Sequence, residues 1–145
     1  MRVLSVTAQK PCSTGSGVYL TEVVRSLAKM GVSQAVVAGV TREDLVDMPE
    51  GVTVYPVYFS SEKLPYPVVG MSDEMPYTST RYRDMTEEMA GQFKAAFLEV
   101  LDEAIEKENP DIMAWLRFDN FDDVHISYPV LYSGDDSKYL RSDIY

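Results

Sequence analysis

The strongest constraint on the fold is a strand, a glycine turn and a helix in immediate succession over the first thirty residues. Arg2-Val-Leu-Ser-Val-Thr-Ala8 is nearly continuous in its apolar content through Val3, Leu4 and Val6. That suits a central parallel strand covered on both faces. Gln9 to Gly17 reads as a turn containing Gly15-Ser16-Gly17. Val18 to Met30 then has helical spacing, with Val18, Leu20, Val23, Val24, Leu27 and Met30 on one face and Glu22, Arg25 and Lys29 on the other. Gly31 supplies the C-terminal stop. Gln34-Ala-Val-Val-Ala38 is a second buried strand, which completes a right-handed βαβ unit. Open α/β sheets hold phosphates at this position, where a glycine turn opens the helix after the first strand.

Further along, residues 41–51 form a charged connection ending in the turn Pro49-Glu50-Gly51. Val52 to Phe59 is a third strand, and Pro56 within it points to an edge position. Ser60 to Arg83 shows no period and is broken by Pro65, Pro67, Gly70 and Pro76. Its Tyr66, Met71, Met75, Tyr77 and Tyr82 carry too much apolar surface for a flexible linker, so it is expected to fold over the C-terminal edge of the sheet. Whether that makes it a structural wrap or a substrate contact is open. Asp84-Met-Thr-Glu87 has the form of a capping box, with Thr86 an alternative cap. The helix behind it carries Met85, Met89, Phe93, Phe97, Val100, Leu101, Ala104 and Ile105 at core spacing through Glu108. Asn109-Pro110 ends it, and Asp111 to Trp115 is a fourth strand on the far side of the first. The expected fold is a three-layer, Rossmann-like α/β domain with a parallel sheet in the order 3-2-1-4 over residues 1–115. Residues 116–145 form an acidic, aromatic tail, packed on that domain or extending it, and His125 to Tyr132 reads as one more strand or an extended segment.

Composition narrows the function. The 145 residues suffice for one domain with a real core, and no apolar run approaches the ~20 residues of a membrane helix. No signal peptide is readable, and the lone Cys12 cannot form an internal disulfide, so a cytoplasmic location is expected. The net charge of −10 is unevenly spread, −2 over residues 1–98 and −8 over residues 99–145. Such a surface repels nucleic acid and anionic lipid, while the near-neutral first part leaves room for a local phosphate site.

Candidate sites can be weighed one by one. Gly15, Ser16 and Gly17 either offer backbone N–H groups to a phosphate or merely permit a tight turn and close helix packing. The stretch is not a P-loop, since no Gly-Lys-Ser/Thr follows. Nor is an acidic residue present at Ala38-Gly39-Val40 to hold a ribose, which argues against an ordinary NAD site. His125 is the single histidine, so spacing reveals no His-based triad or His₂ metal site, and it reads as structural. Cys12 precedes a helix N-terminus, which favours a thiolate, yet it has no nameable base and is read as a bystander. Asp119, Asp122, Asp123 and Asp135-Asp136 lack EF-hand spacing and are read as solvated charge, so no metal is expected. Arg81 and Arg83, beside Tyr77 and Tyr82, are loop cations able to pair with an anionic group.

Several stretches carry a likeness: Arg2-Val-Leu-Ser-Val-Thr7, Ser13-Thr-Gly-Ser-Gly-Val-Tyr-Leu-Thr-Glu22, Val24-Arg-Ser-Leu-Ala-Lys-Met-Gly31, Ala35-Val-Val-Ala-Gly39 and Lys107-Glu-Asn-Pro-Asp-Ile112. Together they resemble the N-terminal half of a GT-B glycosyltransferase of the retaining family 4 type, over roughly residues 1–113. Leu64 to Tyr77 is similar to a loop in a bacterial subgroup of that family. The resemblance implies transfer of a sugar from a nucleotide-sugar donor to an acceptor, with no further cofactor required. It implies that Gly15, Ser16 and Gly17 approach the donor diphosphate, and that Met71, Ser72, Tyr77 and Arg81 lie on the acceptor side. The family's Glu-x7-Glu motif and nucleotide domain are absent, and Trp115-Leu-Arg-Phe-Asp-Asn120 replaces the usual histidine loop after the fourth strand. The expectation is therefore an incomplete fragment, catalytically silent alone, whose catalytic residues are unknown. The alternative is a non-catalytic binding or assembly module that pairs with a separate donor domain or forms a homodimer.

Overall fold

Val3 to Thr7 are buried without interruption, and so are the seven residues from Gln34 to Val40. Strands this apolar must be covered on both faces, which dictates helices above and below the sheet. The computed structural model describes residues 1–70, 72–115, 118–119, 125–126 and 130–133. Its main sheet contains β1 (Arg2–Thr7), β2 (Ser33–Val40), β3 (Thr53–Tyr58) and, after the small strands β4 (Val69–Gly70) and β5 (Thr80–Arg81), β6 (Ile112–Trp115). The order β3-β2-β1-β6 is parallel throughout and matches the 3-2-1-4 arrangement expected from the sequence. Pro56 does lie on the edge strand, in register with Ala38 of β2. The sheet is not purely parallel, however. Past the two-residue antiparallel pair β7 (Phe118–Asp119) and β8 (His125–Ile126), β9 (Val130–Ser133) joins β6 antiparallel as a fifth strand.

The two helices take opposite faces. On α1 (Gly15–Lys29), Leu20 and Val24 pack against Val36, Ala38 and Val40. On α2 (Glu87–Glu108), Ala96, Phe97, Leu101 and Ala104 pack with Leu4, Val6, Ala35, Val37, Tyr55, Val57 and Phe59. Alternate residues of β2 thus serve opposite layers, as strand geometry requires. Phe59 is the hub of the larger core, with ring centroids 5.8 Å from Tyr66, 6.2 Å from Phe93 and 6.3 Å from Phe97.

The start of α1 differs from the sequence expectation, and α2 takes the alternative of its two candidate caps. α1 begins at Gly15 rather than Val18, because extended Thr14 caps it and Val18 N–H donates to the Thr14 carbonyl at 2.7 Å. The earlier start rotates the buried stripe onto Ser16/Gly17, Leu20/Thr21 and Val24, leaving Val18 and Met30 exposed. On α2 the cap is Thr86, whose hydroxyl accepts from Met89 N–H at 3.2 Å. Asp84 instead sits in a 3₁₀ turn (Tyr82–Asp84), with its carboxylate taken by Arg81. The stops hold as expected: Gly31 (φ 75°) donates to Ala28, and Asn109 ends α2 in the left-handed region. Gln34 is buried against α1, with its amide donating to the Val24 carbonyl at 2.9 Å.

Residues 60–70 and 72–83 are more ordered than an aperiodic loop. Leu64, Tyr66, Val68 and Val69 are buried in the larger core, and β4 and β5 form a separate parallel pair. Two-residue strands are too short to leave a period in the sequence.

The burial pattern yields a stability contrast. Phe97→Ala should cost about 3–5 kcal/mol, whereas Leu45→Ala, at a residue 98% exposed, should stay within about 0.5 kcal/mol. Urea denaturation followed by circular dichroism measures both.

Candidate functional site

The C-terminal edge of the sheet gathers the loop from Ala8 to Thr14, the loop from Thr41 to Met48 and residue Tyr77 of the 60–83 segment. This edge is where ligands bind in open parallel sheets, at the point where strand order reverses. Here the reversal lies between β1, which runs on through α1 to β2, and β6 on its other side.

Gly15, Ser16 and Gly17 form the first turn of α1, not a turn before it. Their roles divide. A Cβ on Gly17 would collide with the Lys10 carbonyl and lie 3.2 Å from Cys12 N, so this glycine is required for packing. A Cβ on Gly15 would meet nothing within 4 Å. Ser16 is buried, and its hydroxyl donates to Gln9 Oε1 at 2.7 Å, while Thr14 Oγ1 donates to the same oxygen at 3.2 Å. Gly17 N–H turns to Thr14 Oγ1 at 3.5 Å. The N–H groups of Gly15 and Ser16 precede the first intrahelical bond and, like those of any helix start, have no acceptor within the helix.

Three residues that motif reading did not single out shape this edge. Gln9, 5% exposed, ties the two hydroxyls of the helix start together. Lys10 Nζ pairs with Asp44 Oδ1 at 2.8 Å and lies 5.0 Å from the centre of the Tyr77 ring. The other Asp44 oxygen accepts from Thr41 N–H at 2.7 Å and Thr41 Oγ1 at 2.9 Å. An acidic residue thus does reach the end of β2, but from the following loop and already engaged. Burial would raise the Asp44 carboxyl, yet the bonds from Lys10 and Thr41 outweigh it and hold it below its ordinary 3.8. Gly39 is fixed by packing too, since a Cβ there would collide with the Ala8 carbonyl. Beyond it, the Arg42 guanidinium stacks 4.5 Å from the Tyr58 ring centre.

Of the described residues expected on the acceptor side, Tyr77 alone is seen beside the loop that leads into the glycines, through Lys10. Its hydroxyl donates to the Val69 carbonyl at 3.0 Å, and burial pushes the phenol up to about 12 against the opposing pull of the Lys10 backbone amide. The side-chain bonds of Ser72 go to Glu74 and Met75. Arg81 is engaged by Asp84 and Asp73, and Arg83 by Asp73 at 2.6 Å. An anionic ligand at these arginines would have to displace carboxylates already in place. Met71, Asp122, Asp123, Asp135 and Asp136 lie outside the described residues, as do the side chains of Asp119 and His125. Cys12 takes positive φ (62°), and its Sγ lies 3.1 Å from Thr21 Oγ1. Among the described residues no three His, Cys, Asp or Glu side chains gather to hold a metal, and no helix is long and apolar enough to cross a membrane.

No protein-family model matches the chain, and no curated protein matches it. What stands is a small Rossmann-like α/β domain with a four-stranded parallel core.

Two outcomes follow from this geometry. Gly17→Ala should cost about 1–3 kcal/mol through overpacking, while Gly15→Ala should change stability by no more than about 1 kcal/mol; thermal melts of both decide it. Because the Asp44 carboxyl is depressed in the fold, its contribution is complete above the unfolded value of 3.8 and is lost as pH falls through that value and below. Wild-type stability should therefore fall more steeply than that of Asp44→Asn between about pH 5 and 2, as read from urea midpoints across that range.

Proposed function

We propose that this domain is the acceptor-side half of a sugar-transferring architecture, approaching the diphosphate of a nucleotide-sugar held mainly by a second domain. The observation that carries the reading is the start of α1, where Gly15 and Ser16 present N–H groups beside the reversal of strand order. The open space at Gly15 allows close approach of a phosphate. Tyr77, beside Lys10, gives the acceptor side an aromatic wall. No cofactor is needed beyond the nucleotide-sugar substrate, and the domain contributes binding and orientation rather than the catalytic group.

A second reading, a non-catalytic assembly module that docks a separate donor domain or a second copy, is favoured by one specific observation. Lys10, the cation of the β1–α1 loop, is already neutralised by Asp44, so the edge offers a phosphate little net charge.

Titration calorimetry with UDP-, ADP- and GDP-sugars separates the two. The transferase reading expects weak saturable binding of one of them and no turnover by this chain alone. Gly15→Asp places a carboxylate where the helix dipole welcomes it, so stability should hold or rise by roughly 0.3–1 kcal/mol while nucleotide-sugar affinity falls at least tenfold. Turnover by the purified chain overturns the half-enzyme reading. Absence of binding together with a concentration-dependent dimer selects the assembly module.

A further inference from the structure

We propose that residues 72–79 form a lid over the C-terminal edge of the sheet, latched shut by Tyr77 against Lys10. The segment is anchored at its base and exposed along its tip. On one side Leu64, Tyr66, Val68 and Val69 are buried in the core, with Tyr66 Oη donating to the Met89 carbonyl at 2.8 Å. On the other side Thr80 is fixed through its N–H to the Val68 carbonyl at 3.0 Å and its hydroxyl to the Pro67 carbonyl at 2.6 Å. Between these anchors Ser72, Asp73, Glu74, Pro76 and Thr78 are exposed.

The bonds of the tip are mostly local. Ser72 Oγ donates to the Glu74 carbonyl, and Asp73 accepts from Arg83, ten residues on, and pairs with Arg81. Tyr77 is different, because it reaches across to the loop that follows β1. Its ring lies 5.0 Å from Lys10 Nζ, while its hydroxyl donates to the Val69 carbonyl at 3.0 Å. A cation over an aromatic face attracts more strongly as water is excluded from it, and the Lys10 side chain is largely buried, so this contact and the bond of Tyr77 to Val69 together hold a short lid. Lys10 is held in place by Asp44, so the latch joins three loops of one sheet edge. Gly70 suits the base of such a lid: a Cβ there would lie 2.7 Å from Met75 Cγ and 2.9 Å from Ser79 Cβ, so the two limbs close on each other. The edge covered is the one at which open α/β sheets bind ligands, and the lid gates access to it whatever the ligand.

The test compares the full chain with Tyr77→Ala, Tyr77→Phe and Lys10→Met by hydrogen exchange and by proteinase K nicking at neutral pH. With the latch, Tyr77→Ala should speed exchange of the Thr80 amide and nicking within residues 72–79 at least tenfold. Amides of β1, β2 and α2 should keep their wild-type rates, and Tyr77→Phe should fall between the two. Lys10→Met should also open the tip, and the Lys10→Met/Tyr77→Ala pair should exchange no faster than Tyr77→Ala alone. Wild-type rates in Tyr77→Ala, wild-type rates in Lys10→Met, or an acceleration spread equally through β1 and β2 would each overturn the proposal.

Discussion

The parallel pairing of β1 with a neighbour on each side is the constraint on which the rest of the structure depends. Val3 is in register with Gln34 of β2 and with Ile112 of β6, so both connections must cross the full height of the sheet. A right-handed crossover then sends α1 to one face and α2 to the other, and Leu4 with Val6 and Val36 with Ala38 are buried as a result. The same pairing brings the loops after β1 and β2 to one edge. The pairing leaves no freedom to place those loops elsewhere.

The two edges of that sheet are finished differently. At the N-terminal edge Arg2 and Asp111 bond each other's backbone, with Arg2 N–H on Asp111 Oδ2 at 2.7 Å and Asp111 N–H on the Arg2 carbonyl at 2.9 Å. Arg2 also donates to the Glu108 carbonyl at 2.6 Å, while Tyr55 donates to Glu108 Oε1 at 2.7 Å, and burial first, then that bond, pushes the Tyr55 phenol up to about 12. Strand starts and the end of α2 are thereby locked together. The C-terminal edge is held instead by the capped start of α1, the Lys10–Asp44 ion pair and two cation–aromatic contacts, Lys10 with Tyr77 and Arg42 with Tyr58.

How much of this was legible follows from the range of each interaction. β1, β2, α2 and the edge position of β3 announce themselves through periodicity or a single proline, because burial on one or both faces repeats along the chain. The start of α1 does not: glycine has poor helix propensity, and only the Thr14 cap and the contact of Gly17 with the Lys10 carbonyl reveal why helix forms there. The exposure of Val18 and Met30 follows from that shift. β4 and β5 are too short for any pattern. The Lys10–Asp44 pair joins residues in different loops, and nothing local to Lys10 or Asp44 predicts it. In the candidate site, sequence reading found the glycines but could not separate a glycine kept for packing from one facing open space.

That separation changes what the glycine turn means electrostatically. Gly17 and Gly39 are spent on bringing backbone close to the carbonyls of Lys10 and Ala8, so the loop between β1 and α1 is pressed against both helix and sheet. Lys10 is consequently only partly solvated, with a side-chain exposure of 17%, and a lysine in that setting needs a counter-charge. Asp44 supplies it and is itself held by two bonds from Thr41. An anion arriving at the helix start therefore does not add a charge pair to an empty site; it must compete with Asp44 for Lys10 or bind on the Gly15 and Ser16 amides alone. Binding of an anion through Lys10 would thus be an exchange of partners, and because Tyr77 rests on the same lysine, that exchange would reach Tyr77 as well.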